Sequence, residues 1–294
     1  MKANLRAIGK EIKRAREIAG EDKIIGVNIM VALKNYSEIV KECVKQKIDL
    51  IISGAEIPKE LPEYVKESNT KIAPIVSSLR CCKLIVTHWM KKYNYVPDMI
   101  VIEGPEAGGH LGFKSEELNE STKPKLENIT TEVVEYIKEV EKETGKNIPV
   151  ISAGGIWDSK DIKRFLNLGA SGVQMATRFV ATNECDASIE FKEAYVNARP
   201  EDIKIIKSPV GMPGRAINNN FIKKMESKRC KIDKCYNCIK TCNVADSPYC
   251  ITKALINSVK GKLDDGLIFC GSNVSKIKEI VSVHDLMQEL VCEL

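Results

Sequence analysis

The stretch Glu103-Gly-Pro-Glu-Ala-Gly-Gly-His110 places three glycines and one of the chain's three histidines at the end of an apolar run, Met99-Ile-Val-Ile102. A strand that feeds a tight turn carrying an ionisable imidazole has the layout of a catalytic loop. His110, flanked by Gly109 and Gly112, is the candidate acid–base residue. Glu103 and Glu106 stand where they could orient it or hydrogen-bond a ligand, or could simply be solvated. His88 beside Trp89, and His284 near the C-terminus, read as packing or surface residues.

Two later segments have the chemistry of a phosphate grip. Gly154-Gly-Ile-Trp-Asp158 joins an apolar run to a helical pattern, and adjacent glycines expose backbone N–H groups that can cradle a phosphate. Met175-Ala-Thr-Arg178 adds further N–H groups, a hydroxyl and a guanidinium, so a phosphorylated cofactor or substrate is implied. Asp158 serves equally as a helix N-cap, and Arg178 reads better as a salt-bridging residue than as a phosphate clamp.

Five of the eleven cysteines, Cys230, Cys235, Cys238, Cys242 and Cys250, are concentrated in one short segment. Four thiolates suffice for an iron–sulfur cluster or a structural zinc, but free thiols pinning a small domain explain them as well. Neighbouring lysines would lower a thiol pKa and make it reactive. An odd cysteine count argues against a complete disulfide set.

Composition narrows the class. The chain has 294 residues, 44% hydrophobic and 29% charged, with 45 Lys and Arg against 40 Asp and Glu. There is no run of 18 apolar residues and no signal peptide, so a cytoplasmic protein without membrane association is expected. Much of the positive excess lies in 223–234, where Lys223, Lys224, Lys228, Arg229, Lys231 and Lys234 face only Glu226 and Asp233. That run suits an acidic partner or a solvated helix end, and with 5% aromatic residues nucleic-acid binding is not expected.

The elements that must position these residues alternate. Apolar residues recur at helical spacing over 5–19, and a buried strand is expected over 24–30. Further strands are expected over 50–53, 72–76, 99–102, 150–152 and 173–176, with helices over 36–47, 61–67, 83–91, 129–143 and 160–168. Short Ile/Val-rich strands separated by amphipathic helices indicate a parallel sheet covered by helices. Glycines and polar residues recur just past the strand ends: Asn28, Ser53, Ser77, the 103–110 loop, Gly154 and Thr177. That favours a barrel with one active face over a doubly wound sheet, whose early Gly-x-Gly-x-x-Gly is absent. Beyond Thr182 come a strand over 203–208, a turn-rich segment with Pro209, Gly211, Pro213 and Gly214, and helical patterns over 252–259 and 274–280. A closing helix is expected over 285–294.

The motifs Gly26-Val-Asn28, Ala73-Pro-Ile-Val-Ser77, Gly104-Pro-Glu-Ala-Gly-Gly-His110, Ser152-Ala-Gly-Gly-Ile156 and Gln174-Met-Ala-Thr-Arg-Phe179 together resemble the FMN-dependent nitronate monooxygenases, formerly 2-nitropropane dioxygenases. The same fold serves the flavin-dependent enoyl-(acyl-carrier-protein) reductases II. The resemblance implies a TIM-type (β/α)8 barrel with a smaller, mainly helical C-terminal domain over its mouth. Six strands match the third to the eighth, so the segment for the first two is lacking. The expected domains are a flavin-binding barrel over 1–182, a lid with the cysteine-rich segment over 183–275 and a closing helix over 276–294.

Carried onto this chain, the resemblance makes His110 the active-site histidine. Asn28, Glu103, Gly108 and Gly109 fall near the flavin, and Gly154, Gly155, Ala176 and Thr177 form the phosphate grip. Relatives have Gly where this chain has Ala176, and the added methyl narrows the approach to the phosphate. The activity implied is oxidation of an alkyl nitronate with dioxygen. The alternatives are NAD(P)H-dependent reduction of an enoyl thioester on acyl carrier protein, and a non-catalytic barrel remnant. A homo-oligomer is in keeping with any of these.

Overall fold

The computed structural model describes residues 2–119, 121–227 and 229–294 of the chain, which divides into two units. The first takes in the chain up to Ile102 together with Glu132–Ile151, and the second comprises Glu103–Thr131 and Ser152–Leu294. Lys228, one of the basic residues singled out above, lies outside the described residues.

In the first unit helices and strands alternate as α1 (Lys2–Ala19), β1 (Gly26–Met30), α2 (Tyr36–Lys45), β2 (Leu50–Gly54), α3 (Leu61–Val65), β3 (Lys71–Val76), α4 (Leu79–Tyr93) and β4 (Ile100–Glu103). The strands pair in parallel, with Gly26 opposite Leu50, Leu50 opposite Lys71 and Ile75 opposite Val101. Near-continuous apolar strands require cover on both faces. Ile51, Ile72, Ile100 and Ile102 are accordingly sealed from solvent, as are Val40, Ile85 and Trp89 on the helices.

Helix α4 shows how local chemistry fixes the ends of an element. The Ser78 hydroxyl accepts the Cys81 N–H at 3.2 Å and starts the helix, and Asn94, in the left-handed region at φ 50°, ends it. Between them the fully buried Trp89 donates from Nε1 to the Pro58 carbonyl at 3.1 Å, tying α4 to the loop before α3.

The second unit contains β5 (Gly109–His110), the start of α5 (Leu126–Thr144), the end of β6 (Val150–Ala153), α6 (Ser159–Asn167), β7 (Gly172–Gln174) and α7 (Thr177–Val180). It continues with α8 (Ile189–Val196), β8 (Ile203–Lys207), β9 (Pro213–Ile217), α9 (Asn220–Ser227), α10 (Ile251–Val259) and α11 (Val283–Val291). The parallel sheet runs β1-β2-β3-β4-β6-β7, a sequential, open order that fits six strands of an eight-stranded α/β barrel. A second, antiparallel sheet has the order β5-β9-β8.

Two expectations needed correction. The turn-rich segment is the middle of a hairpin: β9 begins at Pro213 and pairs with β8 from Lys207 opposite Pro213 to Ile203 opposite Ile217. Proline fits at the first residue of a strand, where its missing donor does no harm. The helix expected over 274–280 is one 3-10 turn, Val274–Lys276, after which the chain extends. Val274 and Ile277 are buried as the helical spacing requires. Val281, however, donates to the Ala181 carbonyl and accepts from the Asn183 N–H, and this tertiary pairing overrides local propensity.

Replacing Trp89 with Ala removes a fully buried side chain and its hydrogen bond to Pro58. Stability in urea unfolding is expected to fall by about 3–5 kcal/mol, with the far-UV spectrum of the folded protein unchanged; a loss below about 1 kcal/mol would show that the site collapses around the gap.

Candidate active site

The His110 loop is held by backbone pairing on one side and by close packing on the other. Gly109 and His110 pair with Arg215 and Gly214 of β9, and Gly109 takes φ 73°, a conformation that glycine adopts without strain. A Cβ at Gly108 would lie 2.6 Å from the carbonyl carbon of Cys270. At Gly154 it would lie 2.9 Å from the Ala107 nitrogen, and at Gly155 2.8 Å from the Glu106 Cβ. The 104–108 loop, the Gly154-Gly155 turn and the Cys270-Gly271 segment therefore approach more closely than any side chain permits.

The His110 ring is half-buried. Its Nε2 shares a hydrogen bond of 2.7 Å with the Ser208 hydroxyl, and the Phe269 ring packs edge-on at 4.9 Å between centroids. Burial pushes the imidazole pKa down to about 4, so the ring is neutral at pH 7. Ser208 is itself buried and follows directly on β8. In the sequence Ser208 closes the strand expected over 203–208 and carries no motif that assigns it a role. The available signal was a serine at a strand end immediately before Pro209.

Beside the glycine turn lies a cavity of about 120 Å³ whose wall includes Glu103, Gly108, Gly154, Gly155, Ala176 and Thr177. The structure thus gathers six of the predicted site residues around one space. Gly154 and Gly155 have φ of 100° and 77°, and the N–H groups of both, like that of Thr177, find no acceptor among the described residues. Ala176 sits at φ −136°, outside the left-handed region that favours glycine. The segment Gly271-Ser-Asn273, which the sequence reading passed over, closes the space: the Gly271 N–H donates to Thr177 Oγ1 at 3.0 Å, and Asn273 Nδ2 donates to the Gly155 carbonyl at 2.6 Å.

Charges around the cavity are mostly neutralised. Arg178 forks onto both Glu289 oxygens at 2.7 Å and lies 4.5 Å from the Trp157 ring, the salt-bridging role expected for it. Burial pushes the Glu106 carboxyl up, but hydrogen bonds from Lys123 and Ser272 and the Lys123 and Arg215 charges outweigh that and hold it below the ordinary carboxylate value. Asp158 caps α6 by accepting the Asp161 N–H at 2.9 Å. Glu103 has no counter-charge among the described residues, and burial raises its pKa to about 7.

The remaining candidates are placed otherwise. Asn28 stands exposed on β1, opposite Ile52. The five clustered cysteines are free thiols, with Cys235 exposed and Cys230, Cys238, Cys242 and Cys250 partly buried. Among the described residues no three His, Cys, Asp or Glu side chains are grouped so as to hold a metal ion, so the structure does not gather the iron–sulfur or zinc ligands that the spacing allowed. Cys242 instead contacts the Ser247 hydroxyl at 3.2 Å. No helix among the described residues is long and apolar enough to cross a membrane.

A partial α/β barrel whose glycine turns line a small cavity is an architecture on which many classes of enzyme build their active sites. Residues 3–293 match the family model described as nitronate monooxygenase, and the chain belongs to that family. It is 35% identical over 223 residues to a probable nitronate monooxygenase of Staphylococcus aureus strain Newman, covering 76% of this chain and 57% of that protein. It is 31% identical over 207 residues to a counterpart from Staphylococcus saprophyticus, covering 67% of this chain and 54% of that one. The chain thus spans a little over half the length of these relatives. Among solved structures, FabK from Thermotoga maritima is similar with a TM-score of 0.76 and 26% identity, covering 98% of this chain and 81% of that one. A nitroalkane oxidase from Streptomyces ansochromogenes shares the fold, with a TM-score of 0.72 and 18% identity over 99% of this chain and 85% of that one.

The Glu103 carboxyl gives a signed pH effect. Its ordinary pKa is 4.5 and its folded value about 7, so between the two the folded state holds the proton more tightly. Its stabilising contribution is complete below 4.5 and is lost as pH rises through about 7. Glu103→Gln is therefore expected to raise Tm at pH 8 by about 2–4 °C and to leave it unchanged at pH 4.5; an equal shift at both values would contradict the burial of an unpaired carboxyl.

Proposed function

We propose that this chain is an FMN-dependent oxidoreductase that oxidises alkyl nitronates with dioxygen. The observation that carries the reading is the convergence in one unit of a neutral, Ser208-anchored His110 and a cavity lined by backbone N–H groups without acceptors, in a chain of the nitronate monooxygenase family.

The residues present suit the phosphate end of FMN. Gly154 and Gly155, at positive φ, line the cavity with N–H groups that find no acceptor among the described residues. Gly154, Gly155, Ala176 and Thr177 would hold the phosphate, with Gly108, Gly109, Glu103 and Asn28 proposed toward the flavin. A protonated Glu103 can donate a hydrogen bond and adds no negative charge next to a dianion. When bound, FMN supplies the two-electron chemistry.

The protein's own task is the proton. His110, uncharged at pH 7, has a free lone pair to take a proton from the carbon beside a nitro group, or an N–H to polarise a nitronate oxygen. Ser208 fixes the ring's rotation, and Phe269 excludes water from one side. NAD(P)H-dependent reduction of an enoyl thioester on acyl carrier protein is the second reading, and the likeness to FabK favours it.

The purified chain is expected to retain FMN, recognised by its visible absorption, and to consume an alkyl nitronate aerobically without NAD(P)H. His110→Asn should lower kcat by about 10²–10⁴-fold with the flavin spectrum intact. Turnover of an enoyl thioester with NAD(P)H and none of a nitronate would select the second reading; a colourless protein that binds no added FMN would make the chain a non-catalytic relative.

A further inference from the structure

Arg215 is a buried cation to which the proposed chemistry gives no part. It stands in the middle of β9, is only 6% exposed, and lies outside the cavity wall. A guanidinium withdrawn from water is costly unless its N–H groups find acceptors. Nη1 of Arg215 donates to the carbonyl of Ala107, a residue that does line the cavity.

The neighbouring backbone groups of that loop are committed. The Ala107 N–H donates to the Gly104 carbonyl at 3.2 Å, the Glu106 carbonyl accepts the Ser272 N–H at 3.1 Å, and Gly109 and His110 pair with β9. Gly108 differs: it is exposed and lines the cavity, and its N–H finds no acceptor among the described residues. The carbonyl and N–H of one trans peptide point in opposite directions. With the Ala107 carbonyl turned to Arg215, outside the wall, the Gly108 N–H of the same peptide is turned to the cavity side. A positive charge at the carbonyl end also polarises the peptide and strengthens its N–H as a donor.

We propose that Arg215 is a positioning residue that presents the Gly108 N–H to an anion in the cavity, as a further donor beside those of Gly154 and Gly155. This role rests on the cavity being a phosphate site. It makes the loop that ends at His110 part of the grip, with the guanidinium acting through the peptide dipole and never touching the ligand.

The test is an amide NMR titration of the full chain with inorganic phosphate. In the unmodified protein the Gly108 amide should shift together with those of Gly154 and Gly155, at one midpoint. In Arg215→Met, which keeps a long side chain and loses the donor, Gly154 and Gly155 should still respond and Gly108 should not, with phosphate bound about five- to tenfold more weakly. Arg215→Lys, which can return one N–H to the Ala107 carbonyl, should recover the Gly108 response. A Gly108 amide that stays silent in the unmodified protein while Gly154 and Gly155 move, or that responds equally in folded Arg215→Met, would overturn the role of Arg215 and leave the phosphate site standing. Should Arg215→Met not fold, the titration of the unmodified protein still decides. No response at any of the three amides would overturn the phosphate site and this role with it.

Discussion

Backbone contact without side chains is the constraint on which the site depends. At Gly108, Gly154 and Gly155 an added Cβ would fall within 3 Å of a neighbouring loop. Three segments distant in sequence are thereby pressed to van der Waals distance, and the loop ending at His110 can meet β9 only in the register that sets Gly109 against Arg215. Interiors at crystal-like density do not stretch to accommodate a methyl, so each glycine is fixed by shape as well as by conformation. The same contacts leave the Gly154 and Gly155 N–H groups facing the cavity instead of a neighbouring carbonyl.

Burial then sets the charge state of what the loops carry. His110 and Glu103 flank the same motif and are shifted in opposite senses toward their uncharged forms, the imidazole neutral at pH 7 and the carboxyl about half protonated there. Desolvation is the leading cause for both, since neither has a counter-ion to compensate. Their effects on stability oppose one another. The neutral imidazole loses stability as pH falls from its ordinary 6.5 toward about 4, whereas the protonated carboxyl loses it as pH rises from 4.5 toward about 7. Charges outside this pair are matched, Glu106 by Lys123 and Arg178 by Glu289. The site therefore keeps its polarity in dipoles and neutral acids, which do not need solvent to be stable.

Legibility from sequence followed the range of the interaction. The parallel strands were readable because full burial demands unbroken Ile and Val, as at 50–54 and 100–103, and the glycine motifs were readable because their conformations exclude other residues. Features that depend on a distant partner were not. β9 begins with Pro-Gly, which locally signals a turn, and becomes a strand only because β5, about a hundred residues away, and β8 supply hydrogen bonds. Ser208 carries no motif of its own and acquires its role from a ring 98 positions earlier. The Asn273 amide matters because it reaches Gly155, 118 positions away. The cysteine spacing suggested ligands, but spacing constrains sequence distance alone, and among the described residues those thiols are not gathered into a group that could hold a metal ion.

The manner of anion recognition proposed for the cavity follows from these constraints. A grip built from lysine or arginine would place a strong fixed charge beside Glu103 and drive its carboxyl toward ionisation, while only opposing imidazolium formation at His110 further. Here the Arg178 guanidinium on the cavity wall is paired with Glu289 and lies over the Trp157 ring. Backbone N–H groups bind a phosphate through short-range dipoles and leave the neighbouring titrations nearly untouched. In the proposed grip Ala176 has to offer only its N–H, and its φ of −136° lies outside the left-handed region that favours glycine.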